Sequence, residues 1–347
     1  MSIDRRAMLA LLAGSAAARA LPAFAESKEV FVATYPGSLD EAFKAVVGPQ
    51  VRQKFAASPA FSPMLNTDLI GRLQAARANP PFDLALWDNG PIIIAKQDGL
   101  LEKFAAKSCS HCADIPPQLI DPDGYGPVFA LTAIGLAYNP TKIKTPPTSW
   151  LDLWKPEYKG RVGITNLNST LGTGWLVEIA RTRGGNEGNV EAGFKAIEEL
   201  KPNLAAVAAN PGQLATLYQQ GQIDIGPGNF NAIQILKARG VPVEFVAPKE
   251  GAIAFKTTIH IVKNSPNKDL AFRLIEAALT PEVQTALMNP PYLIVPTNAK
   301  VQMTGEIAKV LAKDTEDLKK KFVFQDWKKI NEQRSAWIER FNREIKI

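Results

Sequence analysis

Short β-rich runs alternate with helical segments along this chain, and a polar turn separates each run from the helix that follows it. Residues 29–34 and 82–87 are two such runs in the first part of the sequence, and residues 160–165 and 222–226 repeat the arrangement further along. Strands that alternate with helices are typical of a mainly parallel α/β sheet. Because the pattern occurs twice in 347 residues, the sequence predicts an α/β fold with two similarly built lobes.

The first 25 residues have the features of an export signal rather than of a folded domain. Arg5 and Arg6 precede an uncharged stretch over residues 7–18, and residues 23–25 read Ala-Phe-Ala, an A-x-A cleavage site. The paired arginines resemble a twin-arginine signal, although such pairs also occur in general secretory signals. We therefore expect cleavage near Ala25 and a periplasmic location. The alternative is an amphipathic N-terminal helix of the folded domain.

The overall composition excludes several classes of protein. Apolar residues make up 46% and charged residues 21% of the chain, close to globular averages. The 40 basic and 34 acidic residues give a net charge of +6 without a basic stripe, so nucleic-acid binding gets little support. No uncharged apolar run reaches the roughly 18–20 residues of a membrane span, so we expect a soluble mature chain. With two cysteines and two histidines, we predict neither a metal site nor a cofactor.

Cys109 and Cys112 form a C-x-x-C pattern that has three interpretations. A local disulfide is favoured in an oxidising compartment, and free thiols are the second interpretation. A redox or metal site is the third, but His111 is the one further ligand nearby and no second pair would complete a tetrahedral site. A Pro-rich stretch over residues 115–126 follows the pair, whereas a thioredoxin-like motif would open a helix. We predict a structural disulfide.

Five short motifs suggest a family when they are taken together. Residues 248–268 combine a Lys-Glu-Gly turn, a strand and a loop of lysines and asparagines, and shorter motifs occur at residues 87–91, 135–139, 223–226 and 296–298. Together they resemble the extracellular solute-binding proteins of bacterial ABC importers, and most closely the branch that includes the periplasmic polyamine-binding proteins. The resemblance covers essentially the whole mature chain.

This resemblance implies a periplasmic-binding-protein fold of the class II type, in which two α/β lobes are joined by two β-strand crossovers and hold ligand in the cleft between them. We expect crossings near residues 131–133 and 255–258. Lobe one would then comprise residues 26–131 and 258–347, and lobe two residues 132–257. The resemblance also implies a monomeric, non-enzymatic protein whose partners are a small-molecule solute and the membrane permease subunits of an ABC importer.

Polar turns follow the predicted strands at the edge where open α/β sheets bind their ligands, and helices that begin there bring free N–H groups to the same edge. The aromatic side chains of Tyr35 and Trp87 either stack on the ligand or pack inside a lobe. Ser169 and Thr170 either contact the ligand or cap the following helix, and these two roles are compatible. The candidate ligand-binding residues are Tyr35, Ser38, Trp87, Asp88, Asn89, Ser169, Thr170, Thr173, Asn229, Phe255, Thr257 and Tyr292.

The candidate cleft carries few acidic residues. The resemblance implies acids at the start of the second-lobe helix and on the crossover strand, but residues 169–174 contain none. Thr257 stands in place of an aspartate, with Phe255 where an aromatic residue is expected. Asp88 remains as the one obvious acid, and a diammonium chain in a dry cleft must pair its charges. We therefore predict a zwitterionic or anionic solute and weak polyamine binding.

A secreted hydrolase of the α/β type is the alternative from a different functional class. Catalysis by a histidine base would need His111 or His260, the two histidines of the chain. His260 alternates with the apolar residues Ile259 and Ile261 on a predicted strand, which indicates a buried structural residue. Acidic residues are plentiful enough for carboxylate-pair chemistry, but no local arrangement recommends it.

Overall fold

The computed structural model of the chain describes residues 28–104, 109–314, 317 and 321–345, so the predicted export signal lies outside the described residues. One sheet contains the strands of this part of the chain. The strands are β1 (Lys28–Thr34), β2 (Ala57–Pro63), β3 (Leu84–Asp88), β4 (Val128–Tyr138), β5 (Val162–Thr165), β6 (Leu204–Ala208), β7 (Ile225–Asn229), β8 (Glu244–Val246), β9 (Ala252–Ile261), β10 (Val295–Pro296) and β11 (Phe322–Val323). Three of the four runs predicted from the sequence correspond to β1, β3 and β5, whereas β7 begins three residues later than the predicted run 222–226 and includes residues predicted as a turn.

Helices connect the strands and cover the sheet, as the α/β prediction requires. The α-helices are α1 (Ser38–Ala42), α2 (Gly48–Phe55), α3 (Asn66–Ala75), α4 (Asn89–Gln97), α5 (Thr170–Thr182), α6 (Glu191–Leu200), α7 (Pro211–Gln219), α8 (Phe230–Ala238), α9 (Lys268–Leu279), α10 (Pro281–Met288) and α11 (Trp327–Glu344). Two π-helical segments cover Phe43–Val47 and Ile307–Leu311, and short 3-10 turns cover Ser110–Asp114, Pro117–Leu119, Trp150–Trp154, Pro156–Tyr158 and Lys201–Asn203.

The strands form two half-sheets joined through the middle. The order is β2-β1-β3-β9-β4-β7-β5-β6, in which β1 to β3 form the first half-sheet and β5 to β7 the second. Pairs within each half-sheet are parallel, whereas β3–β9, β9–β4 and β4–β7 are antiparallel. The sheet is therefore mixed, which corrects the expectation of a mainly parallel sheet. The reason is that the chain crosses between the halves along extended strands instead of through a helical connection.

The two central strands pair with each other, and each also pairs with one half-sheet. Strand β4 pairs with β9 through residues 128–134 and with β7 through residues 134–138. Strand β9 pairs with β4 through residues 253–258 and with β3 through residues 257–261. The crossings predicted near residues 131–133 and 255–258 fall inside these strands. The division of the chain into lobes at those points remains our proposal.

Helix α11 packs against the core of the second half-sheet. Its residues Trp327, Ile330, Trp337 and Phe341 belong to a hydrophobic cluster that also contains Trp175 of α5. Burial of each such side chain contributes about 1.5–3 kcal/mol, enough to hold the helix there. The proposed division counts α11 with lobe one, whereas its buried apolar side chains belong to the cluster of the second half.

The first turns of α11 also contact the first half of the molecule. The Asn331 side-chain amide donates to the carbonyl of Gly90 in α4 at 2.7 Å. The indole of Trp327 lies so close to Gly90 that a Cβ atom there would come within 2.2 Å of it. Helix α11 therefore spans the junction of the two halves, beside the candidate site.

Candidate ligand-binding cleft

A small cavity of about 30 Å³ lies where the two half-sheets meet. The turn after β1, the end of β3, the central strands β4 and β9, and the starts of α5, α7 and α8 all contribute to its walls. The lining residues are Tyr35, Pro36, Ser38, Leu39, Asp88, Thr132, Leu171, Pro211, Asn229, Asn231, Phe255 and Thr257.

Six of the twelve predicted ligand-binding residues lie in this lining, and they come from four separate parts of the chain. The carboxyl ends of β1, β3 and β7 meet at one edge, which brings their polar residues together. Strand β9 crosses beneath them and presents alternate side chains to the cavity. The six residues are Tyr35, Ser38, Asp88, Asn229, Phe255 and Thr257.

The start of α5 stands directly behind the lining. Ser169 caps the helix, since its Oγ accepts a hydrogen bond from the backbone N–H of Leu171 at 3.2 Å. The Tyr35 hydroxyl reaches across from the other half, donates to Ser169 Oγ at 3.4 Å and accepts from the backbone N–H of Thr170 at 3.2 Å. Ser169 and Thr170 therefore act in capping and in contact between the halves, one layer away from the cavity.

Three predicted residues lie elsewhere. Trp87 is 0% exposed and packs in the core of the first half, because its side chain points to the opposite face of β3 from that of Asp88. The Asn89 side-chain oxygen accepts from the backbone N–H of Lys256 at 2.6 Å and borders a different cavity. Tyr292 packs against the largest core cluster, which contains residues of both halves. The structure does not bring these three residues to the cleft.

Asp88 supplies the negative charge of the cleft. It is 8% exposed, and Asn66 holds its strand end by accepting from the Asp88 backbone N–H at 3.0 Å and donating to the Leu86 carbonyl at 2.9 Å. Burial raises the pKa of Asp88 to about 6, while a hydrogen bond from the Thr170 hydroxyl and the charge of Arg334 oppose that rise. The carboxyl group is therefore mostly ionised at neutral pH and can accept hydrogen bonds.

The phenol of Tyr35 stays protonated. Burial and the neighbouring Asp88 charge raise the pKa of Tyr35 to about 12. Its hydroxyl can therefore act as a donor towards the second half at any physiological pH. The contact with Ser169 and Thr170 uses both its donor and its acceptor capacity.

The second half-sheet contributes two amides to the cavity. Asn231 donates through its side-chain nitrogen to Ser38 Oγ at 2.7 Å, a hydrogen bond between the two halves. The Oδ1 atoms of Asn229 and Asn231 are buried and have no hydrogen-bond partner among the residues that the structure describes. A buried acceptor without a partner costs about 1–3 kcal/mol, so these two atoms suit a ligand that donates hydrogen bonds.

Arg334 is a residue of this site that the sequence analysis missed. It projects from α11, is 4% exposed, and donates from Nε to Thr173 Oγ1 at 3.1 Å and from Nη2 to the carbonyls of Asn168 and Leu167 at 2.9 and 3.4 Å. Its charge interacts electrostatically with Tyr35 and Asp88, and its burial lowers its pKa. Thr173 therefore holds Arg334 rather than lining the cavity.

A pattern in the sequence could have revealed Arg334. The buried residues of α11 recur at intervals of three and four, which defines the inward face of a helix. Arg334 falls within that apolar series instead of on the charged face. The series is Trp327, Ile330, Arg334, Trp337 and Phe341.

The two histidines lie away from the cavity. His260 is 0% exposed, its Nδ1 lies 2.8 Å from the carbonyl oxygen of Tyr125, and burial lowers its pKa to about 4. His111 is part of the 3-10 turn beside the cysteine pair and lies 3.7 Å from Asp114. Neither histidine borders the cavity, so the hydrolase alternative gains no nucleophile–base pair there.

Cys109 and Cys112 are joined by a disulfide, with their Cα atoms 5.3 Å apart. The described residues bring no three potential metal ligands of the histidine, cysteine or carboxylate type together. Within that same part of the chain, no helix combines the length and the apolar character needed to span a membrane.

The half-sheets, the crossing strands and the cavity between them define a two-lobed solute-binding fold. The family model of the bacterial extracellular solute-binding proteins matches residues 80–333. The chain therefore belongs to the bacterial extracellular solute-binding protein family. The structure of the periplasmic binding protein AfuA from Actinobacillus pleuropneumoniae superposes with a TM-score of 0.74 at 21% identity, covering 92% of this chain and 100% of that one. The fold is thus that of the periplasmic binding proteins.

Two relatives in sequence carry names that state a ligand. The spermidine/putrescine-binding periplasmic protein of Escherichia coli K12 is 28% identical over 218 residues, which is 58% of this chain and 60% of that protein. The gamma-aminobutyric acid-binding protein of Pseudomonas aeruginosa is 27% identical over 164 residues, covering 43% of this chain and 44% of that protein. The chain thus spans about three fifths or less of the length of these two relatives.

Proposed function

We propose that this protein is the periplasmic substrate-binding component of an ABC importer, which captures a small polar solute and delivers it to the membrane permease subunits. The cavity between the half-sheets carries the proposal, because one buried carboxylate and two unpartnered amide oxygens converge there from both halves. Membership of the solute-binding family supports it. In this role the protein binds its solute without converting it, as a monomer.

The proposed solute is zwitterionic or anionic rather than a polyamine, and a single amine group would pair with Asp88. Asp88 is the one acidic residue in the lining of the cavity. A second or third ammonium group would enter the cleft without a counter-charge, at a cost of several kcal/mol. One relative of the chain is named for a zwitterion and another for polyamines, and the charge of this lining favours the first class.

The proposed contact residues are those that border the cavity. Thr257 lies opposite Asp88 in the β3–β9 pairing, so its hydroxyl and the carboxylate form one polar patch. Phe255 supplies an apolar surface for the carbon chain of the solute, and it fits beside α5 because Gly174 has no side chain: a Cβ atom there would lie 2.5 Å from the Phe255 ring. The full set is Tyr35, Ser38, Asp88, Asn229, Asn231, Phe255 and Thr257. Ser169, Thr170 and Thr173 support the walls.

Export belongs to the same proposal. The signal features of residues 1–25 predict cleavage near Ala25 and a mature periplasmic protein. N-terminal sequencing of protein recovered from the periplasm should begin at or close to Glu26. An intact Met1 in a cytoplasmic pool would contradict export.

Closure of the two proposed lobes, divided at residues 131/132 and 257/258, completes the proposal. A ligand that contacts both halves favours the closed state by its differential affinity for that state. Small-angle scattering should therefore give a smaller radius of gyration at saturation with the solute. Identical curves with and without it would argue against a hinge.

The decisive test is to identify the solute. Protein purified from the periplasm under native conditions should release a small polar molecule that mass spectrometry detects, and isothermal titration calorimetry should then give reversible binding without turnover. Conversion of the molecule to a product would support the hydrolase alternative. Failure to recover or bind any small solute would refute the proposed function.

A further inference from the structure

We infer that Arg334 is the residue that sets the charge preference of the cleft: its buried guanidinium beside Asp88 matches the cavity to a solute with one ammonium and one carboxylate group, an ω-amino acid, and disfavours diamines of the same length. This inference rests on the proposed function and narrows it to a chemical class. It concerns a side chain that lies behind the lining rather than within it.

The guanidinium of Arg334 is held in one position. Its Nε and Nη2 atoms donate to Thr173 and to the carbonyls of Leu167 and Asn168, so three hydrogen bonds fix the plane of the group. The ring of Trp327 lies 5.7 Å from it on the same helix. The remaining terminal nitrogen, Nη1, donates to no group in the described part of the chain. A cation fixed in this way cannot swing out into solvent when a ligand enters.

The charge of Arg334 is poorly screened. The side chain is 4% exposed, and no carboxylate of the described residues forms a salt bridge with it. The acidic group with which it interacts is Asp88, at the cavity wall. In a protein interior such an interaction is several times stronger than in water. Arg334 therefore acts on any charged ligand in the cavity.

The charges of the site sum to zero before a ligand enters. Asp88 contributes one negative charge and Arg334 one positive charge, and Tyr35, the other ionisable residue of the lining, stays neutral. A zwitterion leaves this balance unchanged, since its ammonium faces Asp88 and its carboxylate experiences the field of Arg334. A diamine adds two positive charges beside a buried cation, which is unfavourable.

The same arginine also supports the loop before α5, so a purely structural role is the competing explanation. Loss of the three hydrogen bonds would weaken binding of every ligand, whatever its charge. Loss of the positive charge would instead change the ratio between ligands of different charge. The ratio of two dissociation constants therefore separates the two roles.

The test ligands are ω-amino acids and α,ω-diamines of three to six carbons, compared pairwise at equal chain length, such as 4-aminobutyrate and putrescine. Calorimetry on the mature protein should give binding of at least one ω-amino acid about tenfold or more tighter than its diamine. In Arg334→Gln this ratio should fall at least about tenfold. Arg334→Lys keeps the positive charge but not the planar guanidinium group, so the ratio should stay within about threefold of the wild-type ratio.

Two further variants provide an independent test and a control. Thr173→Asp places a carboxylate where Arg334 Nε now meets a hydroxyl at 3.1 Å, which neutralises the guanidinium without removing it. Thr173→Asp should shift the ratio of dissociation constants in the same direction as Arg334→Gln does. It replaces Arg334→Gln in the test if Arg334→Gln does not fold. Arg343→Gln removes an exposed arginine from the same helix and should leave the ratio unchanged, because that side chain is 67% exposed.

The inference is overturned if the wild-type protein binds a diamine as tightly as the matching ω-amino acid, or if the ratio is unchanged in both Arg334→Gln and Thr173→Asp. Lack of binding by every member of the series would also overturn it, since the inference names this chemical class. In that case a different solute released from the purified protein would leave the proposed function intact. Absence of any solute would refute both.

Discussion

The two walls of the cleft are built from different chemistry. The first half-sheet presents Asp88 and Tyr35, both ionisable and both buried. The second half-sheet presents Asn229 and Asn231, neutral amides whose side-chain oxygens have no hydrogen-bond partner in the described part of the chain. The walls also differ in their support: Asn66 of the same half holds the strand end of Asp88, whereas Asn231 reaches across to Ser38.

This difference assigns separate tasks to the two walls. Asn66 holds the strand end of Asp88 within its own half whether the cleft is open or closed, so we expect Asp88, together with Arg334 behind the cavity, to select the charge of the ligand. Side chains that bond across the cleft contribute only when the halves are together. We therefore expect changes at Asp88 to alter which ligand binds, and changes at side chains that bond across the cleft to alter how tightly every ligand binds.

The largest expected effect is that of Asp88→Asn. An ammonium group left in the cavity without its carboxylate should bind at least about 100-fold more weakly, which is about 2.8 kcal/mol at 1.4 kcal/mol per tenfold. Calorimetry with 4-aminobutyrate, or with the amine-bearing solute released by the protein, measures the loss. Asp269→Asn, a change at an exposed acid in the first turn of α9, is the matched control and should have no effect. Equal affinity in Asp88→Asn would remove charge selection from the first wall.

The next effect is on the pH dependence of binding. Because the pKa of Asp88 is about 6, about one tenth of the free protein carries the carboxylate at pH 5. The affinity for 4-aminobutyrate should then be about tenfold weaker at pH 5 than at pH 8, as a carboxyl group takes up its proton. In Asp88→Asn the affinity should not vary over this range. A flat profile in the wild-type protein would mean that the amine pairs elsewhere.

The same pKa predicts an effect on stability. Its value in the folded state, about 6, is above the ordinary 3.8, so the folded protein binds more protons than the unfolded chain between about pH 4 and 6. The contribution of Asp88 to the free energy of unfolding therefore falls as the pH rises through that window. Asp88→Asn should stabilise the protein at pH 8, by at most about 3 kcal/mol in urea unfolding, and by less at pH 4. A loss of stability at pH 8 would contradict the burial cost assigned to this carboxylate.

A smaller effect is expected on the second wall. Asn231→Ala removes one hydrogen bond between the halves and one acceptor of the cavity, so affinity should fall about fivefold for ω-amino acids and diamines alike. Ser38→Ala removes the partner, and the double variant should lose less than the sum of the two single losses. A change in the preference between the two ligand classes would assign charge selection to this wall as well.

The smallest effect is expected at the rim. Arg239 and Glu41 form a salt bridge of 2.6 Å between the halves, with both side chains about half exposed. Such pairs are worth about 0–1 kcal/mol, so Glu41→Gln should weaken binding less than about fivefold, and less still in high salt. Glu282→Gln removes a comparable surface partner of Lys54 within the first half and should leave affinity unchanged. An equal loss in both variants would argue against a contribution from the rim to closure.

Much of the fold could be predicted because it depends on local patterns. The strand at residues 128–138 and the neighbouring α/β units follow from β-rich runs separated by polar turns and helical segments. Edge strand β2 was harder to predict from the sequence, because it contains two prolines, which a strand tolerates only at the edge of a sheet. The mixed pairing of the sheet was also unpredicted, because strand direction depends on contacts between distant parts of the chain.

The candidate site, like the fold, could be predicted from the sequence only in part. Trp87 and Asp88 are adjacent in sequence, and alternation along a strand places their side chains on opposite faces. Nothing local tells which face meets the other half, and the structure turns Asp88 to the cleft and buries Trp87 in a core. Asn89 was a candidate because it lies in the polar turn after a predicted strand. In the structure its side-chain oxygen accepts a hydrogen bond from the backbone N–H of Lys256 in β9.

The sequence by itself determined the alternation of strands and helices, the cysteine pair that forms the disulfide, and the scarcity of acids in the cleft, because these depend on residue types and short spacings. Only the tertiary structure decided that Arg334, more than 160 residues from the loop it holds, lies behind the cavity beside Asp88. The physical reason is that α11 buries its apolar stripe against the second half-sheet. Packing of that stripe places the charged side chain of Arg334 in the interior, and no local sequence pattern predicts which groups it contacts there.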